Sequence, residues 1–243
     1  MRTAVIALLT ACALSISGTA HAQSSAPNQV LVVGGTRATG LEIVKLLHAR
    51  GQAVTVMARH SSDIAVLEKL GVPVVRADAL QAAEVRAALS PGRYRAVIST
   101  LGTSGKEAVH PDFEGNRNLI DAAVAAGILR FVLVTTIGAG DSSDTPPLIA
   151  KLLYKDRMAL KTRAEDHLKA SGLAYTIIRP GALLDKEPSG KAVLSEDPET
   201  FSWIARADLG QLVADALDDQ TTIGKTYSAF DPTRERFWSR WKE

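Results

Sequence analysis

The sequence predicts an α/β fold: a single domain built around a doubly wound parallel sheet. Three observations support this prediction. A glycine-rich turn near residue 34 joins an apolar run to an amphipathic segment. Helical stretches then alternate with β-branched runs, which is the pattern of right-handed βαβ units. Runs such as residues 131–134, Phe-Val-Leu-Val, are apolar without alternation, as strands covered by helices on both faces should be.

The elements can be justified in order along the chain. A strand over residues 30–33 enters the glycine-rich turn, and a helix over 41–50 leaves it. Apolar and β-branched runs predict further strands over residues 53–57, 72–75, 96–99, 130–135 and 174–178. Helical stretches separate them, one over 81–89. Most of these stretches end at glycines placed as helix C-terminal caps, which are Gly51, Gly71, Gly127 and Gly172.

The last third of the chain has weaker signals. After Gly181 the sequence predicts an irregular stretch that continues to residue 207. A helix over 208–217 follows, with Asp208 as the expected N-cap because a carboxylate there accepts from free backbone amides. A short strand over 226–229 closes the predicted fold.

The first residues resemble an export signal. Arg2 gives a positive start, an apolar run covers residues 4–16, and Ala20-His21-Ala22 matches the small-residue cleavage pattern. The apolar run is too short for a membrane span. We therefore predict a signal peptide over 1–22, a linker over 23–29, a folded domain over 30–230 and a tail over 231–243. The expected location is periplasmic or secreted, or cytoplasmic if the start of the chain is misassigned.

Composition and charge bear on which partners and which kinds of site the chain can have. The formal net charge is +2, so charge gives no argument for nucleic acid or for an anionic membrane surface as a partner. Cys12 is the single cysteine and would leave with the signal peptide. The mature chain would then have no disulfide, no thiol nucleophile and no thiolate metal site. The histidines lie at scattered positions without metal-ligand spacing, so no metal site is predicted.

The glycine-rich turn predicts a dinucleotide site. Glycines allow a tight turn and let backbone amides approach a pyrophosphate, whose charge then sits at a helix N-terminus. The strand–turn–helix order around the turn is the opening of a dinucleotide-binding fold. The residues predicted to bind here are Gly34, Gly35, Thr36, Arg37, Ala38, Thr39 and Gly40.

Arg59 predicts which dinucleotide is preferred. It lies just past the second strand, roughly twenty residues beyond the turn, where such folds contact the adenosine ribose. A carboxylate there accepts from the 2′-hydroxyl of NAD, whereas a guanidinium suits the 2′-phosphate of NADP(H). Arg37 is a second positive candidate. The alternative is that Arg59 is an ordinary solvated arginine.

Three longer segments extend the pattern beyond the turn. They begin Phe113-Glu-Gly-Asn, Arg130-Phe-Val-Leu-Val and Tyr175-Thr-Ile-Ile-Arg-Pro-Gly. With the turn, they resemble the atypical short-chain dehydrogenase/reductases that carry an NAD(P)-binding, NmrA-like Rossmann domain. That group includes flavin/biliverdin reductase-type enzymes, plant NADP-binding proteins of unassigned activity and NADP-sensing regulators. The common turn of the group is Gly-x-x-Gly-x-x-Gly, and Arg37 replaces its middle glycine here.

The resemblance implies further site residues, all at the carboxyl ends of strands. Asp78 and Ala79 would flank the adenine, although Asp78 suits a turn-capping role equally well. Thr135 and Thr136 match the position of the active-site Ser or Thr of the group, and Arg179 has the alternative of a structural ion pair. The remaining implied contacts are Thr100, Leu101 and Gly102 under the ribose, and Arg179, Pro180 and Gly181 near the nicotinamide.

The usual Tyr-x-x-x-Lys pair is incomplete. Lys161 matches the family lysine, but Arg157 stands four residues before it, and Tyr154 is seven residues away, about 10 Å along a helix. The standard proton donor is therefore missing. Reduction of a conjugated acceptor such as a flavin, quinone or bilin can take its proton from water. In that case Lys161 would orient the ribose, and Thr136 would bind the carboxamide or substrate. The alternative for Lys161 is an exposed helix lysine.

The predicted function is thus an NADP(H)-dependent oxidoreductase whose partners are a nicotinamide dinucleotide and a small-molecule substrate. A non-catalytic NADP-binding sensor or scaffold is the second interpretation. A nucleotide-sugar epimerase is weakened by the missing tyrosine. The sequence sets neither the substrate nor the oligomeric state.

Overall fold

The computed structural model describes residues 28–90, 92–103 and 110–234. Ten strands and six helices alternate for most of this length, in the order β1 Gln29–Val33, α1 Ala38–Ala49, β2 Val54–Ala58, α2 Ala65–Lys69, β3 Val74–Arg76, α3 Ala82–Ala88, β4 Tyr94–Ser99, α4 Pro111–Ala125, β5 Arg130–Val134, α5 Leu148–Ala170, β6 Ala174–Pro180, β7 Ala182–Leu184, β8 Val193–Ser195, β9 Trp203–Ala205, α6 Arg206–Asp218 and β10 Lys225–Phe230.

Eight strands form one sheet in the order β3-β2-β1-β4-β5-β6-β10-β8. All neighbours are parallel except β8, which runs antiparallel to β10. The predicted doubly wound parallel fold is therefore confirmed. The direction of winding reverses between β1 and β4, so a crevice opens at the carboxyl ends of these strands.

Helices cover both faces of the sheet. On one face, α1 and α6 pack together and bury residues such as Leu47 and Val213 against β1 and β2. On the other face, α3, α4 and α5 bury Leu119 and Leu168 against Leu31 and Phe131. This double burial explains why the strand sequences do not alternate between apolar and polar residues.

The four predicted helix caps are confirmed. Each glycine comes two residues after the last helical residue and has φ between +69° and +79°, the left-handed region that ends a helix.

Two predictions for the last third were wrong. The stretch after Gly181 is not irregular throughout, because it contains β7, β8 and β9, each three residues long. Asp208 is not an N-cap: α6 starts at Arg206, and the Asp208 carboxylate instead accepts from the backbone amides of Ser189 and Gly190 at 2.8 and 2.9 Å. The helix thus anchors the preceding loop.

Several sequence predictions fall outside the described residues. These are the signal peptide over 1–22, most of the linker and the aromatic part of the tail, with Phe237, Trp238 and Trp241. Within the described ranges, no helix has the length and apolar character needed to cross a bilayer.

Candidate nucleotide-binding and active site

A cleft of about 800 Å³ opens at the switch point, over the carboxyl ends of the strands. Its size suits a cofactor and part of a second molecule. Most of the residues predicted from the sequence line it, namely Gly34, Thr36, Arg37, Ala38, Thr39, Gly40, Arg59, Asp78, Ala79, Thr100, Leu101, Gly102, Thr135, Thr136, Lys161 and Pro180.

The glycine-rich turn leaves no room for side chains. Gly34 has φ +82°, and a Cβ there would lie 2.6 Å from Oγ1 of Thr100. A Cβ on Gly40 would overlap the carbonyl oxygen of Gly34. The turn therefore packs tightly against the start of α1, whose N-terminal amides face the cleft. The buried hydroxyl oxygen of Thr39 has no hydrogen-bond partner among the described residues. A turn of this shape, with an unsatisfied hydroxyl beside it, fits a pyrophosphate.

Gly35 serves packing rather than the cleft. A Cβ on Gly35 would meet Val44 of α1 at 2.9 Å and Val56 of β2 at 3.1 Å. It does not line the cleft. Its predicted contact with the dinucleotide therefore does not fit this geometry, and close packing of α1 on β2 explains its small size.

The loop after β2, where the sequence predicts the adenosine contacts, is held by an arginine that the sequence analysis missed. Arg59 follows the last residue of β2 and lines the cleft together with Arg37 and Ser62. Arg76, the last residue of β3, donates to the carbonyl oxygens of Arg59 at 2.7 Å and Ser62 at 3.0 Å. It thereby fixes the loop that carries Arg59. No local pattern identifies Arg76, because its partners lie on a neighbouring strand.

Asp78 has the capping role that was the alternative for it, and it also lines the cleft. Its Oδ1 accepts from the backbone amide of Leu80 at 3.0 Å, and its own amide donates to Glu84 at 2.8 Å. The loop after β3 is therefore rigid where it borders the adenine end.

A buried ion pair holds Lys161. Its Nζ lies 2.9 Å from Oδ1 of Asp112, and the two side chains are 14% and 1% exposed. The alternative of an exposed helix lysine is therefore wrong. Burial by itself would raise the pKa of the Asp112 carboxyl. The Lys161 ammonium and hydrogen bonds from the Thr103 hydroxyl and amide outweigh this effect and hold the pKa below its usual value.

Asp112 was missed by the sequence analysis. It is the second residue of α4, directly after Pro111, and it lines the cleft. A Pro-Asp pair at a helix start usually indicates only capping and dipole effects. The Asp112–Lys161 pair joins residues 49 positions apart on two helices that pack side by side, and single-sequence patterns do not show such a pair.

Thr135 and Thr136 directly follow β5 at the cleft, and their environments differ. Thr135 is buried, and its hydroxyl donates to Oε1 of Glu165 at 2.6 Å. Thr136 donates to the carbonyl oxygen of Ile137 at 3.1 Å. The Thr135 hydroxyl proton is thus committed to the protein, and its oxygen is left to accept from a bound group.

Arg179 is not at the cleft. Its guanidinium donates to both carboxylate oxygens of Glu165, with Nη2 to Oε2 at 2.6 Å, and it also contacts Asp141. Burial favours the neutral form, but these two carboxylates outweigh it and raise the pKa of Arg179. Alternation along β6 turns residue 179 toward α5, whereas Pro180 faces the cleft. The predicted contact between Arg179 and the nicotinamide does not fit this geometry, and its alternative, a structural ion pair, describes it.

Gly181 also lies off the cleft, where a Cβ would overlap the carbonyl oxygen of Ser202. Its role is to allow β7 to approach β9 closely.

The first half of α5 also borders the cleft. Tyr154, Arg157 and Met158 line it, as do Pro180 and Leu183. The helix is continuous through Lys161, so Tyr154 stays about 10 Å from the lysine along the axis. Arg157 occupies the position of the usual tyrosine, and its guanidinium lies 5.7 Å from the centre of the Tyr154 ring. No tyrosine stands at hydrogen-bonding distance from Lys161 in the described ranges.

The fold and site can now be compared with known proteins. A family described as NAD(P)H-binding matches residues 34–220. The chain superposes on ChuY, an anaerobilin reductase from Escherichia coli O157:H7, with a TM-score of 0.76 and 32% identity, over 85% of this chain and 98% of that one.

Two curated relatives differ in the activity that their names state. The chain is 30% identical over 210 residues to YhfK from Bacillus subtilis, named an uncharacterized sugar epimerase, with 84% of this chain and 94% of that protein covered. It is 26% identical over 211 residues to an NAD(P)H azoreductase from Xenophilus azovorans, with 84% and 68% covered. The resemblance inferred from the sequence is confirmed, and the chain belongs to the NAD(P)H-binding family, within the atypical short-chain dehydrogenase/reductase group.

Proposed function

We propose that this protein is an NADP(H)-dependent reductase that passes a hydride to a flat conjugated acceptor of the flavin, quinone or bilin type. The observation that carries the proposal is at the centre of the cleft. Lys161 is held by Asp112 in the position of the family lysine, while Arg157 replaces the proton-donating tyrosine. The site thus keeps the means to orient a cofactor and lacks the acid that reduction of an isolated ketone requires.

The preference for NADP(H) rests on two arginines. Arg59 and Arg37 line the adenosine end together, and Arg76 holds the Arg59 loop in place. A 2′-phosphate placed there would receive charge-assisted hydrogen bonds from guanidinium groups. No carboxylate follows β2 directly to accept from the ribose of NAD.

The acceptor class is supported by the wall opposite the cofactor site. Tyr154, Met158, Leu183 and Pro180 offer an aromatic ring and apolar atoms to a planar molecule. Two relatives carry names that state reduction of conjugated systems, an anaerobilin and an azo compound. Both kinds of acceptor fit a site without a tyrosine acid.

The residues would divide the work as follows. When bound, the reduced nicotinamide supplies the hydride. Lys161 would donate to the ribose hydroxyls, and the Thr135 oxygen would accept from the carboxamide, because its own proton goes to Glu165. Thr136 would orient the carboxamide or the acceptor. Water entering the open cleft would give the proton to the reduced acceptor.

NADPH oxidation with a panel of riboflavin, FMN, quinones and bilins tests the proposal. We expect turnover with at least one conjugated acceptor and weaker binding of NADH than of NADPH. Equal or tighter binding of NADH would remove the assigned cofactor preference. Tight NADPH binding without turnover on any acceptor would favour the second candidate, a non-catalytic NADP-binding sensor or scaffold, which Arg157 in place of the tyrosine also supports. A sugar epimerase, the activity in the name of YhfK, would lack its usual tyrosine.

We also propose the processing and domain bounds predicted from the sequence. Residues 1–22 would be removed as a signal peptide, leaving residues 30–230 as the NAD(P)-binding domain in the periplasm or outside the cell. Mass spectrometry of the purified protein tests the processing, since it measures the mature N-terminus, and it also identifies any nucleotide that co-purifies. Limited proteolysis tests the bounds of the domain.

A further inference from the structure

The first turns of α5 carry an exposed apolar surface. We call it the α5 stripe, and it consists of Leu148, Ile149, Leu152 and Leu153, which are 82%, 56%, 75% and 66% exposed. Their spacing of one and four residues places them side by side on one part of the helix. Single exposed leucines are common, but four together on one helix indicate a surface that another segment or molecule covers.

Two hydrogen bonds link the end of the described chain, through one short segment, to the loop that precedes α5. The backbone oxygen of Arg234, the last described residue, accepts from the hydroxyl of Ser202 at 2.8 Å. Four residues before Ser202, the carbonyl oxygen of Pro198 accepts from the hydroxyl of Thr145 at 2.8 Å, just ahead of α5. The short segment 198–202 therefore contacts both the end of the described chain and the start of α5.

The sequence beyond Arg234 matches the stripe. Residues 235–243 read Glu-Arg-Phe-Trp-Ser-Arg-Trp-Lys-Glu, with aromatic side chains at Phe237, Trp238 and Trp241. Their spacing of one and four residues is the same as that of the stripe, which suits two apolar faces packed along each other. Nine residues reach about 30 Å when extended.

We propose that residues 235–243 dock on the α5 stripe of the same molecule. Burial of the aromatic rings against four exposed aliphatic side chains provides the driving force, because both surfaces leave water. The tether through Ser202 keeps the tail near the stripe and favours docking within one molecule over association of two. This inference does not depend on the proposed function.

Tryptophan fluorescence tests the docking directly. The chain has three tryptophans, Trp203, Trp238 and Trp241. Trp203→Phe leaves only the two in the tail. In this background, we expect a blue-shifted emission and acrylamide quenching about twofold weaker than after addition of denaturant, because docked indoles are shielded from water.

The paired substitutions are Leu152→Glu in the stripe and Leu129→Glu outside it. Leu129 is 73% exposed and directly precedes β5, at the amino ends of the parallel strands, whereas α5 begins after the loop that leaves their carboxyl ends; Leu129 therefore controls for the added charge. We expect Leu152→Glu to shift the emission to the red and restore strong quenching, and Leu129→Glu to change neither. Circular dichroism verifies that both variants fold.

Two results would overturn the proposal. One is emission and quenching that Leu152→Glu leaves unchanged. The other is a dimer in sedimentation velocity that Leu152→Glu dissociates, since a second copy would then be the occupant of the stripe. Emission that does not vary with protein concentration supports docking within one molecule.

Discussion

The two ends of the cleft are built by different means. The end proposed for the adenosine is formed by backbone shape: a glycine turn, the loops after β2 and β3, and Arg76, which donates to carbonyl oxygens of the loop that carries Arg59. The end proposed for the nicotinamide depends on buried charges: Lys161 pairs with Asp112 at the cleft, and behind it Arg179 pairs with Glu165, which accepts from the Thr135 hydroxyl. An added side chain should therefore disrupt the first end, and removal of a charged group should destabilise the second. Substitutions of these two kinds test the comparison.

We expect the largest effect from Arg179→Met. It leaves the fully buried Glu165 carboxylate without its partner, and such breakage costs about 3–5 kcal/mol of unfolding free energy. Chemical denaturation measures this loss. The double variant Arg179→Met/Glu165→Leu should recover much of it, because no charge is left buried. If the dinucleotide Kd of the double variant stays near that of the wild type, Arg179 has no direct role in binding.

Gly40→Ala should disrupt the glycine-rich turn through steric overlap alone. The added methyl would overlap the Gly34 carbonyl oxygen, so the turn must move, at a cost of about 3 kcal/mol. Gly210→Ala is the matched control in a helix, since its nearest neighbour would be 3.3 Å away, and it should cost much less. Thermal unfolding measures the loss of stability, and calorimetric titration with NADP⁺ measures the loss of binding. Equal behaviour of the two variants would contradict the steric argument.

Arg59→Gln should change the affinity for NADP⁺ and not the affinity for NAD⁺. Loss of a charged hydrogen bond to a 2′-phosphate should weaken NADP⁺ binding by about 2 kcal/mol, roughly 30-fold, and leave NAD⁺ binding unchanged. Arg50→Gln, which removes an arginine paired with Asp215 away from the cleft, serves as the control. Parallel loss of both coenzymes would mean that Arg59 supports the loop and does not read the phosphate.

Asp112→Asn should have the smallest effect, about 1.5 kcal/mol of unfolding free energy, because the amide oxygen can still accept from Thr103 and Lys161 is not fully buried. Its effect should also depend on pH. The folded pKa of Asp112 lies below the unfolded value, so the carboxylate contributes stability at neutral pH. This contribution is full above about pH 5 and disappears as the pH falls through the folded pKa. The difference in unfolding free energy between wild type and variant should therefore shrink in acid. A difference that stays constant from pH 7 to pH 3 would exclude the ion pair as its source.

Prediction from the sequence agrees with the structure where the signal is local. The capping glycines end their helices with positive φ, and Arg59 and most of the glycine turn line the cleft, because backbone geometry fixes where residues just past a strand lie. It failed where function depends on contacts between distant segments. Asp112 meets Lys161 only because α4 packs on α5, and Arg76 reaches the Arg59 loop only because β3 lies beside β2. The strands β7, β8 and β9 were missed because three residues carry too little periodicity.

Arg179 shows a further limit of prediction from the sequence, which is that the face of a strand on which a side chain lies cannot be assigned from local pattern alone. Its place in an Arg-Pro-Gly segment at the end of β6 was identified correctly, but a strand turns successive side chains to opposite faces. Only the sheet as a whole decides which face borders the cleft, so Pro180 lines it and Arg179 does not.

The two edge strands of the eight-stranded sheet affect the tendency of the protein to aggregate in concentrated solution. On one side the sheet stops at β3 and on the other at β8, and each of these strands is three residues long. Few unpaired amide and carbonyl groups are left for a foreign strand to extend the ladder. The native molecule therefore offers a poor template for fibril growth, and aggregation should require prior unfolding.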